Sequence, residues 1–411
     1  MHWIKHVICL PFLLLISSKL LYAAPFIPTS DQQILETLPP DSPPARYLNS
    51  DSFLSNANVT NPEQTSQLLE RAYLQGDPRA LGQAQAQLAQ TTDENVDTLM
   101  LRARALQSDH QFSEAKAILT QILNKEADHP DALLTLSSLL VVQGQFEEAM
   151  RHCNKLNDAS LRVYQLACIA QIQSMTGQLT QAKTTLNGLA SLAPGLDPST
   201  ARWIYLMQAD AALRSKDISL ATQVFGVMDG QTVPALMARA DWLLKHGYYE
   251  KTRQLLQNHT DKDALLLKLI TAQIKLHDPD AKKNLALMKD RIEVWRVRGE
   301  NAHMREQATY AVLSNQNDLA LKLAQENWQQ QRETADILIY ATAAIKAGSE
   351  KDIKLIRQFI TTTGFEYPAL ERDLRLGKIS SRINRQALKA QHSGMSKLSI
   401  QTGNSSKEVP S

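Results

Sequence analysis

Few residues of this chain have the chemistry of a catalytic or metal-binding site. Beyond residue 23 the sequence contains two cysteines, Cys153 and Cys168, and no two histidines at the helical spacing that brings two ring nitrogens onto one metal ion. His152 adjoins Cys153, but neighbours on a helix point about 100° apart, so a solvated histidine explains this position better than a metal ligand. Acidic pairs such as Glu147–Glu148 are typical of exposed helix faces. The sequence therefore predicts no metal site.

Sequence signatures of known enzyme classes are also absent. The sequence contains no phosphate-binding loop, no dinucleotide fingerprint and no nucleophile elbow. The repeats described below leave no block of about 100 residues for a separate catalytic domain. We therefore expect a protein that is not an enzyme and has no cofactor. Its 44 basic and 42 acidic residues nearly cancel, which gives no electrostatic case for binding nucleic acid.

The sequence contains a repeat with a period of about 34 residues, which is typical of an architecture built from stacked structural units. A turn-forming residue is followed five places later by a small residue, most clearly in Gly144–Ala149 and Gly177–Ala182. We expect each unit to be two helices joined at that turn, which predicts an all-α fold: an α-solenoid of about nine antiparallel helical hairpins. The turn positions are Gly76, His110, Gly144, Gly177, Lys216, Gly247, His277, Asn315 and Gly348. The longer steps of 39 and 38 residues that end at Lys216 and Asn315 predict longer loops or non-standard hairpins.

This pattern resembles the tetratricopeptide repeat over roughly residues 62–375. That family places small residues seven positions before the turn and five positions after it. The matching residues are Ala103, Ser137, Ala170, Ala209, Ala240, Ala308 and Ala341 before the turn, and Ala115, Ala149, Ala182, Ala221 and Ala320 after it. The family's tryptophan in the first helix is replaced by aliphatic residues such as Leu133 and Leu166. A generic α-solenoid of another family is the alternative.

A narrower resemblance involves a group of secreted bacterial tetratricopeptide-repeat proteins with no established biochemical activity. The segments that carry it are Gly76–Ala86, Trp295–Gly299 with Arg305–Glu306, and the pair Cys153 and Cys168. This resemblance implies a helical solenoid in a bacterial envelope. It implies no catalytic residues, because no catalytic residues are established for that group.

The amino terminus predicts export independently. A short segment with Lys5 precedes the apolar run Val7–Ile16, and small residues follow, with cleavage expected after Ala23. A membrane anchor would need about 20 uninterrupted apolar residues, and Lys19 interrupts this stretch. We expect an exported protein, periplasmic or else extracellular, with no transmembrane segment after signal removal. The predicted organisation is a signal peptide (1–23), an extended Pro/Ser/Asn-rich leader (24–61), the helical repeats (62–376) and a polar, mostly disordered tail (377–411).

Export also bears on the two remaining cysteines. Because exported proteins usually mature in an oxidising compartment, we expect a disulfide between Cys153 and Cys168. They fall near the end of one helix and about two turns into the next, on antiparallel neighbours. The alternative is two buried free thiols that pack as small apolar residues.

In tetratricopeptide solenoids the first helix of each unit lines the concave surface, and this register predicts a polar groove with two aromatic platforms. The predicted partner-binding residues are Arg104, Ser138, Tyr164, Gln171, Trp203, Asp210 and Asp241. Such a groove suits an extended peptide or a saccharide, since rings supply apolar area and polar side chains supply hydrogen bonds. We expect a non-enzymatic scaffold for a protein or peptide partner; a glycan-binding protein or an accessory to a cell-wall hydrolase is the alternative.

Overall fold

The chain folds into a succession of α-helices. The computed structural model describes residues 61–298, 303–370, 372 and 374. The predicted signal peptide, nearly all of the leader and the predicted tail lie outside these residues. The helices are α1 (Pro62–Gln75), α2 (Pro78–Gln90), α3 (Val96–Ser108), α4 (Phe112–Lys125), α5 (Pro130–Val142), α6 (Phe146–Lys155), α7 (Arg162–Met175), α8 (Leu179–Leu192), α9 (Pro198–Ser215), α10 (Ile218–Val227), α11 (Val233–Lys245), α12 (Tyr249–Leu256), α13 (Asp263–Leu276), α14 (Asp280–Arg298), α15 (Met304–Leu313), α16 (Asn317–Trp328), α17 (Thr334–Ala347) and α18 (Glu350–Thr363).

The eighteen helices form nine hairpins, which we number units 1 to 9 from α1–α2 to α17–α18. Within each unit the two helices pack against one another, and each unit packs on the next. Short 3₁₀ turns at Ala159–Leu161 and Ala193–Gly195 lie in the connections between units 3 and 4 and between units 4 and 5. No strand occurs among the described residues. The predicted all-α solenoid of helical hairpins is confirmed.

The turn inside each unit has the backbone conformation that the repeat predicts. All nine predicted turn residues have positive φ, among them Gly144 at 72° and Gly177 at 81°. The amide of Gln145 donates to the carbonyl of Leu140 over 2.8 Å, which closes the first helix of unit 3 as a helix cap with a left-handed residue. His110 is one of the four non-glycine turn residues, and each of these carries a strain of about 1–2 kcal/mol.

The small residues on either side of the turn lie at helix contacts, as predicted. Those before the turn have exposures of 0–3%, and those after it 0–1%. Alanine or serine at these positions lets neighbouring helices approach closely, and a larger side chain would force them apart.

The two irregular repeat steps have a different cause from the predicted longer loops. The 39-residue step contains α9, which is 18 residues long. The 38-residue step contains α14, which is 19 residues long. Most units have helices of 10–14 residues, so the additional residues extend helices rather than loops, and these units are non-standard hairpins.

Units far apart in the sequence touch. Arg202 on α9 donates to Glu70 on α1 over 2.9 Å, and the side chains of Gln331 and His110 are hydrogen-bonded at 2.8 Å. The amide of Arg332 donates to the carbonyl of Val142 at 2.7 Å. The largest apolar core accordingly combines residues of units 2–4 with residues of units 8 and 9 and the segment after α18.

The segment Gly364–Leu370 fastens these distant units together, and we call it the closing strap. The amide of Glu366 donates to the carbonyl of Met175 at the end of α7 over 2.8 Å. Arg214 at the end of α9 donates to the carbonyl of Glu366 over 3.1 Å. Lys245 at the end of α11 donates to the hydroxyl of Tyr367 over 2.9 Å. The closing strap therefore joins units 4, 5 and 6 to unit 9.

The sulfur atoms of Cys153 on α6 and Cys168 on α7 are joined, with their Cα atoms 5.7 Å apart. Both side chains are buried between units 3 and 4, which supports the predicted disulfide. We expect reduction to lower the free energy of unfolding by at most about 3 kcal/mol, because the closed loop is short. Denaturant unfolding with and without reductant measures this loss, and thiol titration of the unfolded, unreduced chain that begins at Ala24 should find no free cysteine. Two titrating thiols would show that the bond does not form.

Candidate partner-binding cleft

A concave cleft of about 830 Å³ lies across the first helices of units 2 to 5. These helices, α3, α5, α7 and α9, lie side by side because each unit repeats the same hairpin packing. The lining side chains are Met100, Arg104, Gln107, His129, Pro130, Asp131, Leu134, Thr135, Ser138, Leu161, Tyr164, Asp197, Ser199, Thr200 and Trp203. The cleft therefore combines two rings and several aliphatic groups with hydroxyls, amides and charges.

The starts of α5 and α9 set the edge of the cleft. Before α5, Nδ1 of His129 accepts a hydrogen bond from the amide of Ala132 over 3.3 Å. Before α9, Asp197 accepts from the amides of Ser199 and Thr200, each over 3.0 Å. The hydroxyls of these two residues and their amides lower the pKa of Asp197 to about 2, so its carboxylate is charged at neutral pH. Capping of this kind fixes where each helix begins.

The two aromatic residues of the cleft are half-buried. Trp203 packs partly against the main core and partly against the core between α7 and α9. Thr200 donates to the hydroxyl of Tyr164 over 3.5 Å. Both rings thus have support from behind and keep a part of their surface open, which is how aromatic side chains offer apolar contact area to a ligand.

Several polar side chains in the cleft have no hydrogen-bond or ion-pair partner among the described residues. Arg104 and Asp131 are exposed, while Gln107 and Ser138 are half-buried. Arg104 is the one arginine or lysine among the described residues that line the cleft. Groups of this kind remain available to hydrogen-bond a ligand without breaking an existing bond.

A second cavity of about 800 Å³ adjoins the cleft at the loops between units 2 and 3 and between units 3 and 4. It shares His129, Pro130 and Leu161 with the cleft. We call it the acidic mouth, because it is lined by three carboxylates and one cation: Glu126, Asp128, Asp158 and Lys155. Hydrogen bonds from Ser160 hold the pKa of Asp158 below its ordinary value, so this group is charged at neutral pH.

The cleft brings together four of the seven residues predicted from the sequence, namely Arg104, Ser138, Tyr164 and Trp203. The other three do not line it. Asp210 accepts from Nε of Arg214 over 2.6 Å, Asp241 accepts from Nζ of Lys268, and Gln171 is half-buried further along α7.

Sequence reasoning missed the residues at the edge of the cleft, chiefly His129, Asp197 and Thr200. A usable signal was present, because Asp197-Pro198-Ser199-Thr200 has the composition of a helix start, with a capping aspartate and proline at the first helical position. In a solenoid the starts of successive first helices share one edge. That signal would have placed these side chains beside Tyr164.

No group of three or more histidine, cysteine or acidic side chains that could hold a metal ion occurs in the described part of the chain. None of the helices described here is long and apolar enough to cross a membrane. The sequence model of the tetratricopeptide repeat family matches residues 106–161, which span the end of α3, all of α4, α5 and α6 and the 3₁₀ turn before α7. The match supports a tetratricopeptide-repeat protein. No curated protein matches the sequence of this chain.

Proposed function

We propose that this chain is an exported, non-enzymatic scaffold of the bacterial envelope that binds an extended segment of a partner protein in the cleft of units 2 to 5. The observation that carries the proposal is the set of open polar groups beside two supported rings. Arg104 and Asp131 have no partner among the described residues, and Tyr164 and Trp203 supply apolar area within the same concavity. Helical repeats of this kind commonly bind partners on their concave surface.

An extended peptide fits this cleft better than a compact ligand would. The lining residues come from the first helices of four successive units and the connections before them, and helices packed side by side lie about 8–10 Å apart. A ligand that contacts all four must therefore be extended across them. The predicted signal peptide and the disulfide between Cys153 and Cys168 support export, because disulfides persist in oxidising compartments.

We expect Arg104→Glu to weaken partner binding at least tenfold while leaving the melting temperature unchanged. The Arg104 side chain is exposed and has no hydrogen-bond or ion-pair partner among the described residues, so its replacement breaks no such bond there, but it puts a negative charge where the cleft offers a cation. The partner is first captured from envelope extract on the chain that begins at Ala24. Binding is then measured by calorimetry.

The matched control is Lys283→Glu, the same change of charge at an exposed position of α14 outside the cleft. It should bind the partner like the unchanged protein. Equal affinity of all three proteins would remove the cleft from the interaction. Retention on purified cell-wall glycan, with no protein partner, would favour the glycan-binding alternative and contradict the proposal.

A further inference from the structure

The end of the chain is strongly basic, in contrast to the near-neutral total. Residues 375–411 contain seven basic residues and one acidic residue, Glu408. The basic residues are Arg375, Lys378, Arg382, Arg385, Lys389, Lys397 and Lys407. We call this stretch the basic tail; it lies outside the described residues. Since the whole chain has 44 basic and 42 acidic residues, the remainder of the chain carries a net negative charge.

Part of that negative charge lies along the cleft and the acidic mouth. Five carboxylates line the two cavities together, against the two cations Arg104 and Lys155. The carboxylates are Glu126, Asp128, Asp131, Asp158 and Asp197. Glu126, Asp128 and Asp131 are exposed, and their side chains bond to none of the described residues. Arg104 lies towards the other end of the cleft, on the later part of α3, so the mouth itself is predominantly acidic.

The fold brings the residues just before the basic tail back to these same units. The closing strap leads the chain over the ends of α7 and α9, and the cleft uses the earlier parts of those two helices. The carbonyl of Leu374, the last described residue, accepts a hydrogen bond from Arg357 over 2.6 Å. Beyond it the chain is long enough to span on the order of 100 Å when extended, so the tail can reach the acidic mouth from its point of attachment.

We propose that the basic tail docks in cis along the acidic mouth and into the adjoining cleft, as an intramolecular occupant of the concave surface. Each exposed ion pair contributes little on its own. Because the tail belongs to the same molecule as the cleft, however, its effective concentration there is on the order of millimolar, so several weak pairs suffice for occupancy. Docking is reversible and weakens as salt screens the charges. It requires no external partner, so its test is independent of the proposed function, although a partner that uses the cleft would have to displace the tail.

Photo-crosslinking on the chain that begins at Ala24 tests the docking. The crosslinking residue p-benzoylphenylalanine is placed at Asn157, an exposed position that lines the acidic mouth, and at Lys283 on α14 as the control. We expect the Asn157 probe to crosslink to peptides from residues 375–411, with at least a tenfold lower yield from the Lys283 probe. A mixture of ¹⁵N-labelled and unlabelled chains distinguishes crosslinks within one chain from crosslinks between two.

Charge reversal in the tail sharpens the test, because it alters no described residue. The triple variant Arg382→Glu, Arg385→Glu, Lys389→Glu should lose the Asn157 crosslink at least tenfold. Adding Glu126→Lys, Asp128→Lys and Asp131→Lys should restore it, since the charges are then exchanged. The proposal is overturned if the Asn157 probe captures no tail peptide, or if charge reversal in the tail leaves the crosslinking yield unchanged. It is also overturned if the crosslinks join differently labelled chains.

Discussion

Asp336→Ala is expected to lower the free energy of unfolding by about 3–5 kcal/mol, because it removes a fully buried carboxylate and leaves the partly buried Arg305 and the buried Asn327 without this partner. The side chain of Asp336 is fully buried and accepts from Arg305 at 2.5 and 2.9 Å, from Asn327 at 2.8 Å and from the amide of Glu333 at 2.9 Å. Burial lowers the pKa of Arg305, but Glu333 and Asp336 outweigh burial and raise that pKa above its ordinary value. Arg305 stays charged when Asp336 is removed, because an arginine side chain is effectively always protonated in proteins and Glu333 remains paired with it.

Urea denaturation at neutral pH, followed by circular dichroism, measures this loss of stability. The control is Glu293→Ala, which removes an ion pair to Arg296 of 2.6 Å on the surface of α14. Both partners of that pair are well exposed, so the control should unfold at the same urea concentration as the unchanged protein. An Asp336→Ala protein as stable as the control would show that water or another side chain replaces the carboxylate beside Arg305.

Phe365→Ala is expected to cost about 3–5 kcal/mol as well, and also to expand the molecule. The Phe365 ring is 1% exposed and stacks at 6.4 Å from the ring of Phe146 in unit 3. The guanidinium of Arg214 lies 5.5 Å from its centroid. Truncating this side chain leaves a cavity where the closing strap meets units 3 and 5, so we expect the distant units to separate more readily.

Thermal unfolding gives the loss of stability, and small-angle X-ray scattering gives the radius of gyration. Tyr248→Ala is the matched control, since this aromatic side chain is 47% exposed and its removal should change stability by less than about 0.5 kcal/mol. A Phe365→Ala protein that keeps both the melting temperature and the radius of gyration would show that the closing strap is not held by this ring.

The local architecture was predictable because each unit has its own sequence signals for a helical hairpin. A left-handed turn residue and two small residues in register define a hairpin, and the structure has such hairpins even where the turn is His110 or Lys216 rather than glycine. The same register predicted four residues of the cleft, because the inward positions of the first helices repeat with the unit. Such predictions depend only on residues within a few helical turns of one another, so the sequence alone is sufficient for them.

The contacts between distant units were not predictable in this way. Whether Gln331 meets His110 depends on the rotation accumulated over six intervening units, and the repeat period does not fix that rotation. The pairing of Asp241 with Lys268 on α13 of the next unit has the same origin, because the sequence shows two charged helical residues and not the distance between them. The acidic mouth arises from two connections between units, where no periodicity applies.

The hydrogen bond between His110 and Gln331 joins residues 221 positions apart, and this fixes how such a chain can evolve. An open array of repeats gains or loses one unit with little penalty, because each unit contacts only its neighbours. Here a unit inserted between units 6 and 8 would carry units 8 and 9 past their contact points on units 2 and 3, and the bonds of the closing strap to units 4, 5 and 6 would be out of register. Duplication and deletion of single units should therefore be strongly disfavoured. The contacts between distant units therefore restrict the number of hairpins that this fold can have.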